Sequence, residues 1–449
     1  MFSKLKSSNL FTNQSITVFD MKNKFLSNLA TLAVLGSFIT AGCNQPAQET
    51  SEFKTSLEFG PGQESKITEA FLTLKDSTEI HLKEGLYKFD NLSLAQLKHI
   101  QLRGDGPDKT ILDFSMQSQG GEGIRVTDTK FFTIKDMTIR DAKGDLLKIN
   151  KSQNVVIRNL HAIWQKADST SGGYAIYPVL CRQVLIDSCF AEGSSDAGIY
   201  VGQTDSAVVR NCKASRNVAG CEIENTTHAE VYDNEFSGNT AGFLVFDLPG
   251  LSKRGGFTRA YHNDIHDNNI KNFAKAGSFG TYWGVGNASP GSGVIILACS
   301  NVEIFENKIN NNNSTAVALA SGLAVDDKAL EKINDNYFPI SKNISIHDNV
   351  MTMGTAFPEP AYAHHIGKLL VGIEQKLNAD DRNRKNKRIP FIMYDGISTN
   401  ILNHGRVANP DSLCIRQTGD NIFVNADFLD ISKADKWHPS TDWAAYNCH

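Results

Sequence analysis

The chain predicts an all-β solenoid of stacked coils, and three observations carry that prediction. Stretches GIYVGQ from Gly198, GCEIEN from Gly220 and GFLVFD from Gly242 recur every 22 residues, and a period in the twenties marks stacked structural repeats. A second strand follows in constant phase, as in AVVRNC from Ala207 and AEVYDN from Ala229. Within both, alternate residues are apolar and often β-branched, the period of a half-buried strand. About 22 residues is too short for a strand, a packed helix and a return, but suits three short strands with bends. The Leu-x-x-Leu-x-Leu frame of leucine-rich repeats is missing.

The register extends in both directions, through GIRVTD at Gly123, LLKINK at Leu146, AIYPVL at Ala175, GVIILA at Gly293 and AVALAS at Ala316. Successive intervals are 23, 29, 23, 22, 22, 51 and 23 residues, one ladder with two insertions. Alternation assigns Ile124, Val126, Leu147, Ile149, Ile199, Val201, Cys221, Ile223, Phe243 and Val245 to the interior. Met137, Leu160, Cys189, Cys212, Asn234, Asn263, Asn307 and Asn349 share one bend position, where stacked Asn side chains bond each other and the bend backbone. An open parallel stack needs caps against edge pairing. Lys54 to Lys75, with Ile67, Phe71 and Leu72 at helical spacing, reads as an amphipathic N-terminal cap. After Ala320 the periodicity fades; the stretches from Asp326 and from Ile366 read as helices, followed by a basic run with Arg382, Arg384, Lys385, Lys387 and Arg388.

These motifs, together with AIYPV and SDAGIYVGQ, resemble right-handed parallel β-helix proteins over roughly Ile80 to Met351, the architecture of pectate lyases and alginate epimerases. The resemblance implies a right-handed, single-stranded parallel β-helix with a helical N-terminal cap and an irregular C-terminal cap. More narrowly it points to exported bacterial lipoproteins of this architecture, without settling an activity. The expected organisation is a signal peptide over 1–42, a lipidated tether over 43–53, the capped β-helix over 54–356 and a C-terminal cap or subdomain over 357–449.

Export is read from Met21 onward: MKNKFLSNLATLAVLGSFITAGC has two lysines, an apolar run and a lipobox-like Thr40-Ala41-Gly42-Cys43. Met21 is the expected true start and Cys43 the expected lipidated residue, anchoring the chain to a membrane. The Asn after that cysteine, by resemblance to lipoprotein sorting, favours the outer membrane of a bacterial envelope. The first 42 residues carry four Lys and one Asp, so their removal takes the formal charge from −4 to −7. Nothing in that balance suits nucleic acid. Cys414 and Cys448 are the best disulfide candidates for an oxidising compartment.

Chemistry is expected on the outward residues of the strongest strand column: Arg125, Lys148, Tyr177, Tyr200, Glu222, Leu244, Ile295 and Ala318. In a glycan-binding reading, Tyr177 and Tyr200 support sugar faces, while Arg125 and Lys148 meet carboxylates of an acidic polysaccharide. Asp196, Gln203 and Asn225 border the same groove. In a catalytic reading Glu222 or Asp247 is a general base with Tyr200 as acid, for elimination, epimerisation or hydrolysis. A third reading makes these ordinary outward residues, and an apolar stripe of Leu244, Ile295 and Ala318 would suit an exported protein partner. The long insertion after Val245, with Lys271, Lys275, Tyr282 and Trp283, is expected to wall the groove, and Trp164 to Gly173 to form the opposite wall. No cofactor is implied. His262, Asp264 and His266, like the pair His364 and His365, lack a dependable metal-ligand spacing. The Asp-Pro-His-Glu motif of alginate epimerases is absent, as is the paired-Asp signature of polygalacturonases.

Overall fold

A computed structural model describes residues 53–278, 284–403, 407–433 and 435–448. The signal peptide, Cys43 and all but the last residue of the tether lie outside them. One compact unit spans Ser51–His449.

One coil shows how the sequence builds the rest. Asp205–Arg210, Lys213–Ser215 and Ala219–Glu224 are three strands joined by bends. Each pairs in parallel with the strand one coil later, so that Ala207 meets Ala229, Lys213 meets Glu235, and Tyr200, Glu222 and Leu244 fall in line. Among the described residues, the third strands form an eleven-stranded sheet, called here the front sheet. The other two sets merge into one twenty-stranded sheet, because long strands such as Lys130–Arg140 and Gln153–Ile163 run round the corner between them. Corners are set by residues with left-handed backbone, among them Gln203, Asn211, Asn225 and Asp233. Asn and Asp tolerate that conformation better than other side-chain-bearing residues.

The expected interior is observed. Ile124, Val126, Leu147, Ile149, Ile199, Val201, Cys221, Ile223, Phe243 and Val245 all belong to one continuous core. Polar ladders run inside the corners. Asn234, Asn263, Asn307 and Asn349 pass side-chain hydrogen bonds of 2.9 Å from coil to coil, and the Cys212 amide donates to Asn234 at the end of the row. A second ladder, absent from the sequence reading, joins Asn217, Asn239, Asn268 and Asn312 at 2.9–3.1 Å. At the third corner the Thr204 and Thr226 hydroxyls accept the Cys181 and Thr204 amides. Buried bend amides, which would otherwise lack partners, are satisfied this way.

The ends and flanks differ from expectation. Coils begin earlier, with Thr55–Phe59 paired to Thr78–Leu82. The cap helix α1 (Glu64–Thr73) buries Ile67 and Phe71, but Leu72 is 77% exposed because it falls on the opposite side of the helix. The stretch from Asp326 holds only a 3-10 turn over Ala329–Lys332, too short to present an apolar face. Strands also continue beyond 357. Ile392–Tyr394 pairs with Thr315–Ala320, Phe423–Asn425 pairs with Ile392–Tyr394, and Cys414–Arg416 extends the larger sheet. Residues 357–449 therefore supply rungs as well as cover. Helix α2 (His365–Asp380) does not close the end of the stack: Leu370, Ile373 and Leu377 pack with Ala318, Met393 and Val424 on the outer flank of the front sheet. Cys414 and Cys448 are joined by a disulfide.

Candidate functional site

The outward column of the front sheet is in the expected register, from Arg125 through Lys148, Tyr177, Tyr200, Glu222, Leu244 and Ile295 to Ala318. Its environment changes along the way. At the N-terminal side the face is open. Arg125 lies 3.8 Å from Glu122, and Lys148 lies 3.5 Å from both Glu122 and Asp145 and 4.7 Å above the Tyr177 ring. The two expected anion-binding cations are thus paired within the chain, against acidic residues on their own two strands.

From Tyr200 onward the column is roofed. Tyr200 and Glu222 are 4% and 2% exposed, yet neither points into the coil interior. Tyr200 packs in a separate cluster with Leu244 and Ala288, and Tyr174, Tyr177 and Ile295 pack against it. The cover comes from segments inserted between coils, which the repeat pattern does not foresee. Tyr174 ends the Trp164–Gly173 insertion and sets its ring 4.5 Å from both Tyr177 and Tyr200. That insertion is anchored by Trp164, whose indole donates to the Ala142 carbonyl at 2.7 Å. It enters the front sheet from the same side as the insertion around Val285–Ala288, so the two share a wall rather than facing each other. Tyr282 and Trp283 lie outside the described residues.

The stripe of Leu244, Ile295 and Ala318 is covered by the chain itself, by Val285 and Ala288 at one end and by Ile366 and Leu370 of α2 at the other. It offers no ready surface to a protein partner. Gln203 and Asn225 also serve the chain. The Gln203 amide oxygen accepts from the Ser252 amide and hydroxyl, while fully buried Asn225 bonds Leu248 and the Lys253 carbonyl. Both hold the loop after Asp247, because that loop folds back over the corner they occupy. Asp247 is 1% exposed and accepts from the Gly255 amide at 3.0 Å, with Arg254 at 3.9 Å. Burial pushes it up to about 7. Asp247 sits in the bend below the loop and does not itself line the cavity that its neighbours Phe246 and Leu248 border.

Between the roof and the sheet lies a cavity of about 340 Å³, with Tyr174, Asp196, Glu222 and Glu224 at one end. Glu224 was not singled out from the sequence, although alternation puts it on the outward face with Glu222, opposite Gly202 and Phe246 on the flanking coils. The Tyr200 hydroxyl donates to the Glu224 carboxylate at 2.5 Å. Gly202 makes this reach feasible, because a Cβ there would meet the Tyr200 hydroxyl and ring edge at 2.4 Å. Desolvation raises every acid in the group. Glu222 is pushed well above the ordinary range by burial and by Asp196 and Glu224; Asp196 rises to about 8, opposed by its hydrogen bond from Tyr174. Glu224 rises less, since Tyr200 bonds its charged form. The arrangement supplies a carboxyl that keeps its proton near neutral pH beside one poised to accept, the division of labour that acid–base catalysis requires.

A family comparison agrees with the architecture over the central coils. Residues 166–326 match the family model described as right handed beta helix region. A curated Arabidopsis thaliana protein named as a putative pectinesterase/pectinesterase inhibitor is 28% identical over 180 residues, which is 38% of this chain and 24% of that protein. The chain thus spans about a quarter of that relative's length. Among solved structures, the A-module of mannuronan C-5 epimerase AlgE4 from Azotobacter vinelandii aligns with TM-score 0.48 and 15% identity over 80% of this chain and 90% of that one. A pectate lyase, Pel9A, aligns with TM-score 0.40 and 14% identity, covering 68% and 78%. Parallel coil-to-coil pairing throughout, with a family match across its central coils, makes this chain a right-handed parallel β-helix protein.

Proposed function

We propose that this chain is an envelope lipoprotein that binds a glycan at the front sheet and acts on it by acid–base chemistry. The observation that carries the reading is the acid end of the cavity, where Asp196, Glu222 and Glu224 stand beside three packed tyrosines. Tyrosine rings offer apolar faces to a sugar while their hydroxyls remain available for hydrogen bonds. Glu222, whose hold on its proton is strengthened by burial, is suited to donate to a departing glycosidic oxygen, and Glu224, aligned by Tyr200, to receive a proton from the attacking group. The pectinesterase name of the sequence relative supports polysaccharides as the substrate class. Membrane attachment through Cys43 rests on the signal and lipobox-like residues of the sequence.

An acidic polysaccharide, expected from the sequence, is disfavoured by the site electrostatics. Arg125 and Lys148 are paired with Glu122 and Asp145, and among the described residues no Lys, Arg or His lines the cavity to meet a uronate carboxylate. Incubation of the mature chain with a panel of neutral and uronate glycans, followed by reducing-end and unsaturated-sugar assays, tests the proposal. Release of reducing ends from a neutral glycan, lost in Glu222→Gln while binding persists, is the expected result. Binding without release by the unaltered chain would remove the catalytic half, and absence of any glycan binding would remove the whole.

A further inference from the structure

The cavity has a second end that the glycan reading does not use. Beyond the carboxyls it is lined by Leu244, Ile295, Ala318, Ile366, Leu370 and Phe428, contributed by the front sheet, by α2 and by the segment after the last front strand. Among the described residues, no Lys, Arg or His lines any part of it. Small side chains keep this end open: Ala318 and Ala324 stand where a larger residue would fill the space. Ser292 and Thr315 border this end with hydroxyls that donate within the chain, and the apolar side chains that make up most of it offer water no hydrogen bonds, so the space is better occupied by an apolar group than by solvent. A sugar ring, with hydroxyls on every edge, suits the tyrosine and carboxyl end and not this one.

Building on the glycan reading, we propose that the ligand is an uncharged sugar carrying an acyl or alkyl chain, its ring against Tyr174, Asp196, Glu222 and Glu224 and its chain between the front sheet and α2. At about 340 Å³ the cavity is near the lower limit of small-ligand sites, roughly 300–1,000 Å³. That volume suits one ring with a short chain, so that of a longer glycan only the terminal ring enters. Each methylene buried strengthens binding about fourfold, so four of them give roughly two-hundredfold.

Calorimetric titration of the mature chain with paired methyl and octyl β-hexosides, kept below their micelle concentrations, tests this, with octanol as the chain alone. The expected result is octyl affinity at least about fiftyfold above methyl, reduced to the methyl level by Ala318→Trp. Ala324→Leu, a smaller filling, should reduce the preference in part and serves if the tryptophan variant does not fold. Equal affinity for the methyl and octyl members would overturn the chain site and leave the glycan reading standing. Octanol binding as tightly as the octyl glycosides, and sensitive to Ala318→Trp, would instead overturn the glycan reading. An octyl preference untouched by both variants, or no binding by any pair, would overturn the proposal.

Discussion

Glu222 illustrates how a single side chain can be poised for chemistry at the expense of stability. It is 2% exposed, and its carboxyl is held above the usual range by burial first and by Asp196 and Glu224 second. In the unfolded chain the same group ionises near the ordinary glutamate value of 4.5. A raised folded pKa means that stability is fully present below that value and is lost as pH rises toward the folded one. Asp247, at about 7, and Asp196, at about 8, act in the same direction. This group of acids therefore weakens the fold between about pH 4 and pH 8. Glu222→Gln, which keeps the shape and removes the ionisation, should match the unaltered chain at pH 4–5 and exceed it at pH 8–9 by roughly 1–3 kcal/mol. Carboxylates with lowered values elsewhere, such as Asp113 and Asp187, are common to both chains and cancel in that difference. Thermal melts at the two pH values check it; a difference that does not change with pH would mean that Glu222 is ionised in the native protein.

At the scale of strands and corners, the Asn ladder does what hydrophobic stacking cannot, namely satisfy the buried amides of each bend. Asn263 donates to the Val231 carbonyl and to Asn307 while accepting from the Asn234 amide and side chain. Asn263→Ala leaves several of these groups unpaired in a dry corner and should destabilise the chain by roughly 2–4 kcal/mol. Asn343→Ala, at an exposed bend, removes a bond to Asn301 and places Ala on left-handed backbone, and should cost about 1 kcal/mol. Urea unfolding of the pair measures the contrast, and equal losses would count against the ladder. This ladder was legible because the Asn residues keep a constant offset from the Val/Ile alternation of Val209, Val231 and Ile304. The Asn217–Asn312 ladder follows the first at a constant offset, each Asn lying five residues after its counterpart at Cys212, Asn234, Asn263 and Asn307, so the same rule makes it legible too. Tyr200 and Glu222 could likewise be placed outward by alternation. Their burial could not, because the roof comes from Tyr174, Val285 and α2, whose positions depend on long-range packing without any repeat.

For the molecule as a whole, the central problem is how a parallel stack ends. An unpaired last strand exposes a row of amides and carbonyls that invites further pairing. Here the final strand of the larger sheet, Cys414–Arg416, is met by the C-terminal tail. Ile415 donates to the Tyr446 carbonyl at 2.8 Å and bridges Asn447 in parallel, and the Cys414–Cys448 disulfide holds the tail there. The bond closes a loop with a sequence separation of 34, for which the chain-entropy model gives about 3–4 kcal/mol. In a solenoid each coil depends mainly on its neighbours, so that contribution should act on the last rungs and not on the entire stack. Cys448→Ser is therefore expected to raise amide exchange in residues 414–416 and 446–447 by roughly a hundredfold or more, while the central strand Ala219–Glu224 keeps its protection. Hydrogen exchange read by mass spectrometry resolves the two regions. Equal loss in both would show that the stack unfolds as one unit and that its end carries no separate stability.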